Sequence, residues 1–184
     1  MRVAGGEHIR AVRARVDLPI IGLVKRAYDE FDPYITPTLA EVAEVVGAGA
    51  DVVAVDATVR RRPAGATIKG ILEAIHSAGR IAMADCATVA DVRRASAAGA
   101  EIIATTLCGY TAETTGHPLP ALDLVREMSE LDAFVVCEGG VASPAQLRAA
   151  FDAGADAVVV GTAITNVDWL VRSFAGSADR ARNR

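Results

Sequence analysis

The chain has 184 residues, 52% of them hydrophobic but only 4% aromatic, and carries a formal net charge of −4. That length supports one domain with an aliphatic core, and the acidic balance argues against a nucleic-acid or anionic-membrane partner. It leaves a phosphorylated small molecule open, because a few backbone N–H groups hold a phosphate without a basic surface.

Strand and helix signals alternate along the whole chain. A strand fragment opens it at Arg2–Ala4, and a helical pattern follows at 8–15. Pro19-Ile20-Ile21-Gly22-Leu23-Val24 is an unbroken apolar run closed by Lys25 and Arg26. Such a run reads as a strand over 20–25 buried on both faces. Further strands are expected at Val52–Asp56, Ile81–Asp85, 102–105, Phe134–Glu138 and 157–161. Helices are expected at 39–46, Ile68–Ser77, Val89–Ala97, 121–129, Pro144–Asp152 and 167–174. Thr38 with Glu41, Thr88 with Asp91, and Ser143 with Gln146 have the spacing of helix capping boxes. The tail 176–184 is small-residue rich and is expected to fray.

A weak repeat marks the helix-to-strand turns. Ala48-Gly49-Ala50-Asp51, Ala98-Gly99-Ala100-Glu101 and Ala153-Gly154-Ala155-Asp156 each precede an apolar run. A glycine there stops the helix in the left-handed conformation, and the strand follows at once. Strands alternating with helices make parallel βαβ units. Seven strands fall short of the eight, in about 250 residues, of a closed (β/α)₈ barrel. The pattern therefore fits a short barrel, preferred here, or an open doubly wound sheet, in one domain over 1–184.

In a barrel the loops at the carboxyl ends of the strands build the site. Those ends hold Lys25, Asp56, Asp85, Thr105, Thr106, Glu138, Gly161 and Thr162. Any one of them could be a structural cap, and Lys25 on its own stretch reads first as a solvated strand-end lysine. As a set they read as a site. Glu138-Gly139-Gly140 and Gly161-Thr162 follow the last two strands, where this architecture cradles phosphate. A lysine beside a carboxylate over a sugar phosphate suits removal of a proton α to a carbonyl, or Schiff-base chemistry of the class I aldolase kind. Arg60-Arg61-Arg62 reads as a solvated loop. His8, His76 and His117 lie away from the strand ends and read as structural or surface. Cys86, Cys108 and Cys137 form no CxxC and read as small buried residues of a reducing compartment. No metal-ligand spacing is present. Residues 1–7 lack the apolar core of a signal peptide, and no apolar run reaches the roughly 18 residues of a membrane span. A cytoplasmic protein is expected.

Several motifs occur in one order: Ile20-Ile21-Gly22-Leu23-Val24-Lys25-Arg26, Asp56-Ala57-Thr58 with Arg62-Pro63, Met83-Ala84-Asp85-Cys86, Thr105-Thr106-Leu107-Cys108-Gly109-Tyr110-Thr111, Glu138-Gly139 and Val160-Gly161-Thr162. Together they resemble the N-acetylmannosamine-6-phosphate 2-epimerase family of sialic-acid catabolism, over nearly the whole chain. The resemblance implies a phosphate-binding (β/α)₈ TIM barrel that needs no cofactor or metal. It implies Lys25 as the residue that moves the C2 proton and Glu138 as its catalytic partner. Arg2, Asp85, Thr106 and Tyr110 are implied as substrate contacts. Gly139, Gly140, Gly161 and Thr162 are implied as the phosphate cradle, and a homodimer as the assembly. Two departures stand out. The family's first strand, with a serine–x–glutamine motif, has no counterpart, so the barrel is expected to be truncated at its N-terminus, through a late start or a true truncation. Asn166 stands where many members carry arginine. An inactive truncated sugar-phosphate-binding barrel is therefore a further alternative to the epimerase and the aldolase.

Overall fold

The computed structural model describes residues 1–182. Seven strands lie side by side in chain order, every pair parallel: β1 (Arg2–Ala4), β2 (Ile21–Leu23), β3 (Val52–Asp56), β4 (Ile81–Asp85), β5 (Ile102–Ala104), β6 (Phe134–Glu138) and β7 (Ala157–Val159). The helices between them are α1 (Gly6–Arg13), α2 (Leu39–Gly47), α3 (Ile68–Ser77), α4 (Val89–Ala97), α5 (Leu122–Met128) and α6 (Pro144–Asp152). After β7 come a single turn, α7 (Thr162–Thr165), and a long α8 (Val167–Arg182). The result is a curled parallel sheet, a barrel wall left open. Among the described residues β1 and β7 do not pair with each other.

The strand residues divide between two cores by simple alternation. Val53, Val55, Ala82, Ala84, Ile103, Val135 and Cys137 pack outward against the helices, with Ile71, Leu72, Ile75 and Val125. Val52, Ala54, Met83, Ala104 and Val136 face inward and make a smaller core with Leu23, Ile35 and Leu107. The repeated turns form as expected, with Gly49, Gly99 and Gly154 at φ 94°, 98° and 104°. The capping boxes at Thr38–Glu41 and Thr88–Asp91 are complete in both directions, each worth about 1 kcal/mol. At α6 only half of the box forms: Gln146 N–H donates to Ser143, but Gln146 Oε1 accepts from Ala142 N–H instead.

Three expectations need correction. Strand 20–25 ends early, at Leu23, and Lys25 pairs antiparallel with Ile35. The cause is a wedge: Thr36 Oγ1 donates to the Ala54 carbonyl at 2.7 Å and accepts from Val24 N–H at 3.2 Å, so beyond Leu23 residues 34–36 come between the chain leaving β2 and the carboxyl end of β3. Arg60 and Arg62 are not a solvated run. Both turn back onto Asp56, and Arg62 is buried. Lastly, the final helix expected over 167–174 runs on as α8 to Arg182; residues 183 and 184 lie outside the described residues. The helix exposes Val167, Val171 and Phe174 beside the open end of the sheet.

Candidate active site

The period that builds the inner core also builds the site. Two residues beyond inward-facing Leu23, Met83, Ala104, Val136 and Val159 stand Lys25, Asp85, Thr106, Glu138 and Gly161. A side chain two places along a strand returns to the same face, so apolar layers end at a polar rim. Lys25, Thr106, Tyr110, Glu138, Gly139, Gly140, Gly161 and Thr162 line one cavity of about 460 Å³. Lys25 is exposed there, its Nζ 5.9 Å from the centre of the Tyr34 ring.

Arg2 and Asp85 do not line the cavity, yet they bear on it. Arg2 reaches across from β1 and holds Asp85 with both terminal nitrogens, at 3.0 and 2.6 Å. Asp85 is fully buried and also accepts the Thr106 hydroxyl at 2.7 Å. Arg2 Nη1 lies 3.0 Å from Glu138 Oε2, but that oxygen accepts no hydrogen bond. The contact is an ion pair without hydrogen-bond alignment, because the same nitrogen is directed to Asp85 and Met83 Sδ. Glu138 therefore shares a cation whose best geometry serves another carboxylate. Burial raises its pKa, Arg2 opposes this, and Asp85 adds to it; the carboxyl ends at about 7. Thr105 fixes the backbone beneath, donating its hydroxyl to the Glu138 carbonyl at 2.8 Å and accepting Glu138 N–H at 3.0 Å.

The two glycine turns face this pair. Gly140 has φ 70°, and a Cβ on it would stand 2.4 Å from Leu119 Cβ, so no larger residue fits. A Cβ on Gly161 would meet no protein atom within 4 Å, which leaves that side of the cavity open to a ligand group. Among the described residues no three His, Cys, Asp or Glu side chains could hold a metal ion together. The cysteines are all buried, and burial pushes their thiols up, Cys86 furthest.

The sequence pattern of the NanE family, described as putative N-acetylmannosamine-6-phosphate epimerase, matches residues 1–180. The chain belongs to this family. It is 46% identical to the bifunctional enzyme NanE/NanK of Brucella melitensis over 181 residues, 98% of this chain and 35% of that one. It therefore spans about a third of the length of that relative. It is 40% identical to the putative N-acetylmannosamine-6-phosphate 2-epimerase of Photobacterium profundum, covering 98% of this chain and 76% of that one. The solved structure of the N-acetylmannosamine-6-phosphate 2-epimerase from Clostridium perfringens superposes with a TM-score of 0.92 at 37% identity, over 95% of this chain and 77% of that one. A 3-hexulose-6-phosphate synthase from Salmonella typhimurium shares the fold alone, with a TM-score of 0.65 at 22% identity over 89% of this chain and 73% of that one.

As a NanE-family chain it carries its own adjustments. Asn166 is the start of α8: its Oδ1 accepts Trp169 N–H at 2.9 Å. Asn is a strong N-cap residue where Arg is not, and Trp169, on the first turn so capped, lines the cavity. Trp169 and Tyr34 escaped the sequence reading because both sit outside strand ends. The rim residue Asp56 was included wrongly: Thr58, Arg60 and Arg62 occupy its carboxylate.

Proposed function

We propose that this chain epimerises C2 of an N-acyl amino-sugar 6-phosphate, taking N-acetylmannosamine 6-phosphate to N-acetylglucosamine 6-phosphate in sialic-acid catabolism. The observation that carries this reading is one cavity in which Lys25 and a Glu138 with a pKa of about 7 face two glycine turns. The names of the relatives supply the substrate class. The C2 hydrogen is acidic only in the open-chain aldehyde, so ring opening comes first. Lys25, as the amine, takes the C2 proton, and the C–H electrons move into the C1 carbonyl to give an enolate. Donors around C1 stabilise the enolate. The Lys25 ammonium, exposed and so open to exchange with solvent, returns a proton to C2 once the enolate has turned its other face toward it, which inverts C2 and restores the amine. Glu138 near half-protonation exchanges a proton with a substrate hydroxyl in either direction. Arg2 and Asp85 set Glu138 from behind the cavity wall, and Thr106 and Tyr110 contact the sugar. Gly139, Gly140, Gly161 and Thr162 hold the phosphate. No cofactor enters this scheme.

We also place the chain in the cytoplasm as a homodimer, one barrel domain per chain. Three free cysteines support the compartment, and exposed Val167, Val171 and Phe174 support an apolar contact; sedimentation analysis tests the dimer. The decisive experiment follows solvent deuterium into C2 of N-acetylmannosamine 6-phosphate. Wild type is expected to exchange, and Lys25→Ala to lose exchange altogether. Exchange that persists without Lys25, or a borohydride-trapped adduct on it, sinks the proton-transfer role.

A further inference from the structure

The short hairpin that carries Lys25 is held from outside the cavity by one buried carboxylate. We infer that Glu41 is a positioning residue for Lys25, acting through Arg26 and Tyr28; the inference rests on the epimerase reading above. The chain leaves β2 at Leu23, and residues 24–26 run antiparallel to residues 34–36. Arg26 N–H donates to the Tyr34 carbonyl at 2.9 Å, and Thr36 N–H to the Val24 carbonyl at 2.8 Å. Consecutive side chains of an extended segment point to opposite sides. With Lys25 in the cavity, Arg26 is directed away, and its guanidinium donates to Glu41 Oε1 at 2.7 Å and Glu44 Oε2 at 3.0 Å. The Tyr28 hydroxyl donates to the same Glu41 oxygen at 2.8 Å. The other Glu41 oxygen accepts Thr38 N–H at 3.0 Å and the Thr38 hydroxyl at 2.6 Å. Glu41 is wholly buried. One carboxylate thus ties the start of α2 to the arm that bears the lysine.

The hairpin needs such a hold. Thr36 sits at φ 43°, a left-handed conformation that a β-branched residue rarely takes. Backbone strain of this kind persists only where surrounding contacts over-determine it. The returning arm also carries Tyr34, the ring beside Lys25 Nζ.

A second cap in the same molecule separates this role from helix capping. Asp91 at the start of α4 is buried and accepts Thr88 N–H at 3.0 Å and the Thr88 hydroxyl at 2.9 Å, and Arg94 donates to its other oxygen at 3.1 Å. Its donors come from residues 87–94, on its own turn. The two carboxylates make the same box, and Glu41 alone extends it to the rim hairpin.

Turnover, C2 exchange, thermal stability and amide exchange at Arg26 and Thr36 are to be compared in wild type, Glu41→Gln, Glu41→Ala and Asp91→Ala. In Glu41→Ala, kcat per folded molecule is expected to fall about 10- to 100-fold with KM nearly unchanged, and Glu41→Gln to fall between. The Arg26 and Thr36 amides are expected to lose protection in the same order. Asp91→Ala is expected to lose comparable stability and keep its kcat. Equal kcat losses in Glu41→Ala and Asp91→Ala reduce Glu41 to a helix cap, and intact kcat or intact amide protection in Glu41→Ala overturns the inference. A wild-type chain without C2 exchange defeats the epimerase reading instead, and amide protection then still decides whether Glu41 holds the hairpin.

Discussion

Asp56 ends β3 and Glu138 ends β6, each two residues beyond an inward-facing apolar position and each with arginine beside it. Their surroundings differ in one respect. At Asp56, Oδ1 accepts Thr58 N–H at 2.9 Å, the Thr58 hydroxyl at 2.7 Å and Arg62 at 3.4 Å, while Oδ2 accepts Arg60 at 2.7 Å. Both oxygens of this fully buried carboxylate are thus engaged by its own loop. At Glu138, Oε2 is buried and accepts no hydrogen bond, and the nearest cation is committed to Asp85. A buried carboxylate tied up by the loop that follows its own strand, as at Asp56, is part of the scaffold. One that faces the cavity with an oxygen unmet, and with its pKa carried to about 7, can take and release a proton.

The largest effect expected from this contrast is on rate. Glu138→Gln keeps the shape and removes the titrating proton, so turnover should fall about 10²- to 10⁴-fold while the fold persists. Steady-state epimerisation with circular dichroism on the same sample checks both halves. Turnover within threefold of wild type would return Glu138 to the scaffold.

Asp56→Asn should do the reverse. Arg62 is almost wholly buried and its Nη1 already lacks a partner, so losing the counter-charge leaves a buried guanidinium held by backbone carbonyls alone. Removing one partner of a buried pair costs about 3–5 kcal/mol. Denaturant unfolding should show that loss, with activity per folded molecule near wild type. A stable but inactive Asp56→Asn would move Asp56 into the site and break the contrast.

Much of this was legible in the chain, and the reason is periodicity. Residues alternate between faces along a strand, so Met83 and Asp85, Ala104 and Thr106, and Val136 and Glu138 point the same way in any register that buries the apolar members. The rim set follows from that rule alone. What the rule does not contain is the contacts made off the strands. Asp56 was misjudged because its partners lie two, four and six residues later, in a loop, although Asp56-Ala57-Thr58-Val59-Arg60-Arg61-Arg62 does space its donors on alternate positions. The early end of β2 depends on the Thr36 hydroxyl meeting Ala54, a contact 18 residues long with no local signature. Tyr34 and Trp169 enter the cavity from segments whose course is set by tertiary packing.

The smallest expected effect is a slope of stability against pH, and it tests the contrast without substrate. Glu138 titrates near the ordinary glutamate value of about 4.3 when unfolded and at about 7 when folded. Between those values the folded chain binds more proton than the unfolded one. Stability therefore falls as pH rises through that window, and the benefit is fully present only below it. Discounted for the part of Glu138 that still meets solvent, the change is on the order of 2–3 kcal/mol at most. Denaturant midpoints of wild type and Glu138→Gln at pH 5 and pH 8 isolate this contribution, since every other titrating group is common to both. The two curves should run parallel except for this loss, so Glu138→Gln should gain on wild type as pH rises. Curves that stay parallel from pH 5 to pH 8 would mean that Glu138 is as well satisfied as Asp56, and that its unmatched oxygen finds a partner in solution.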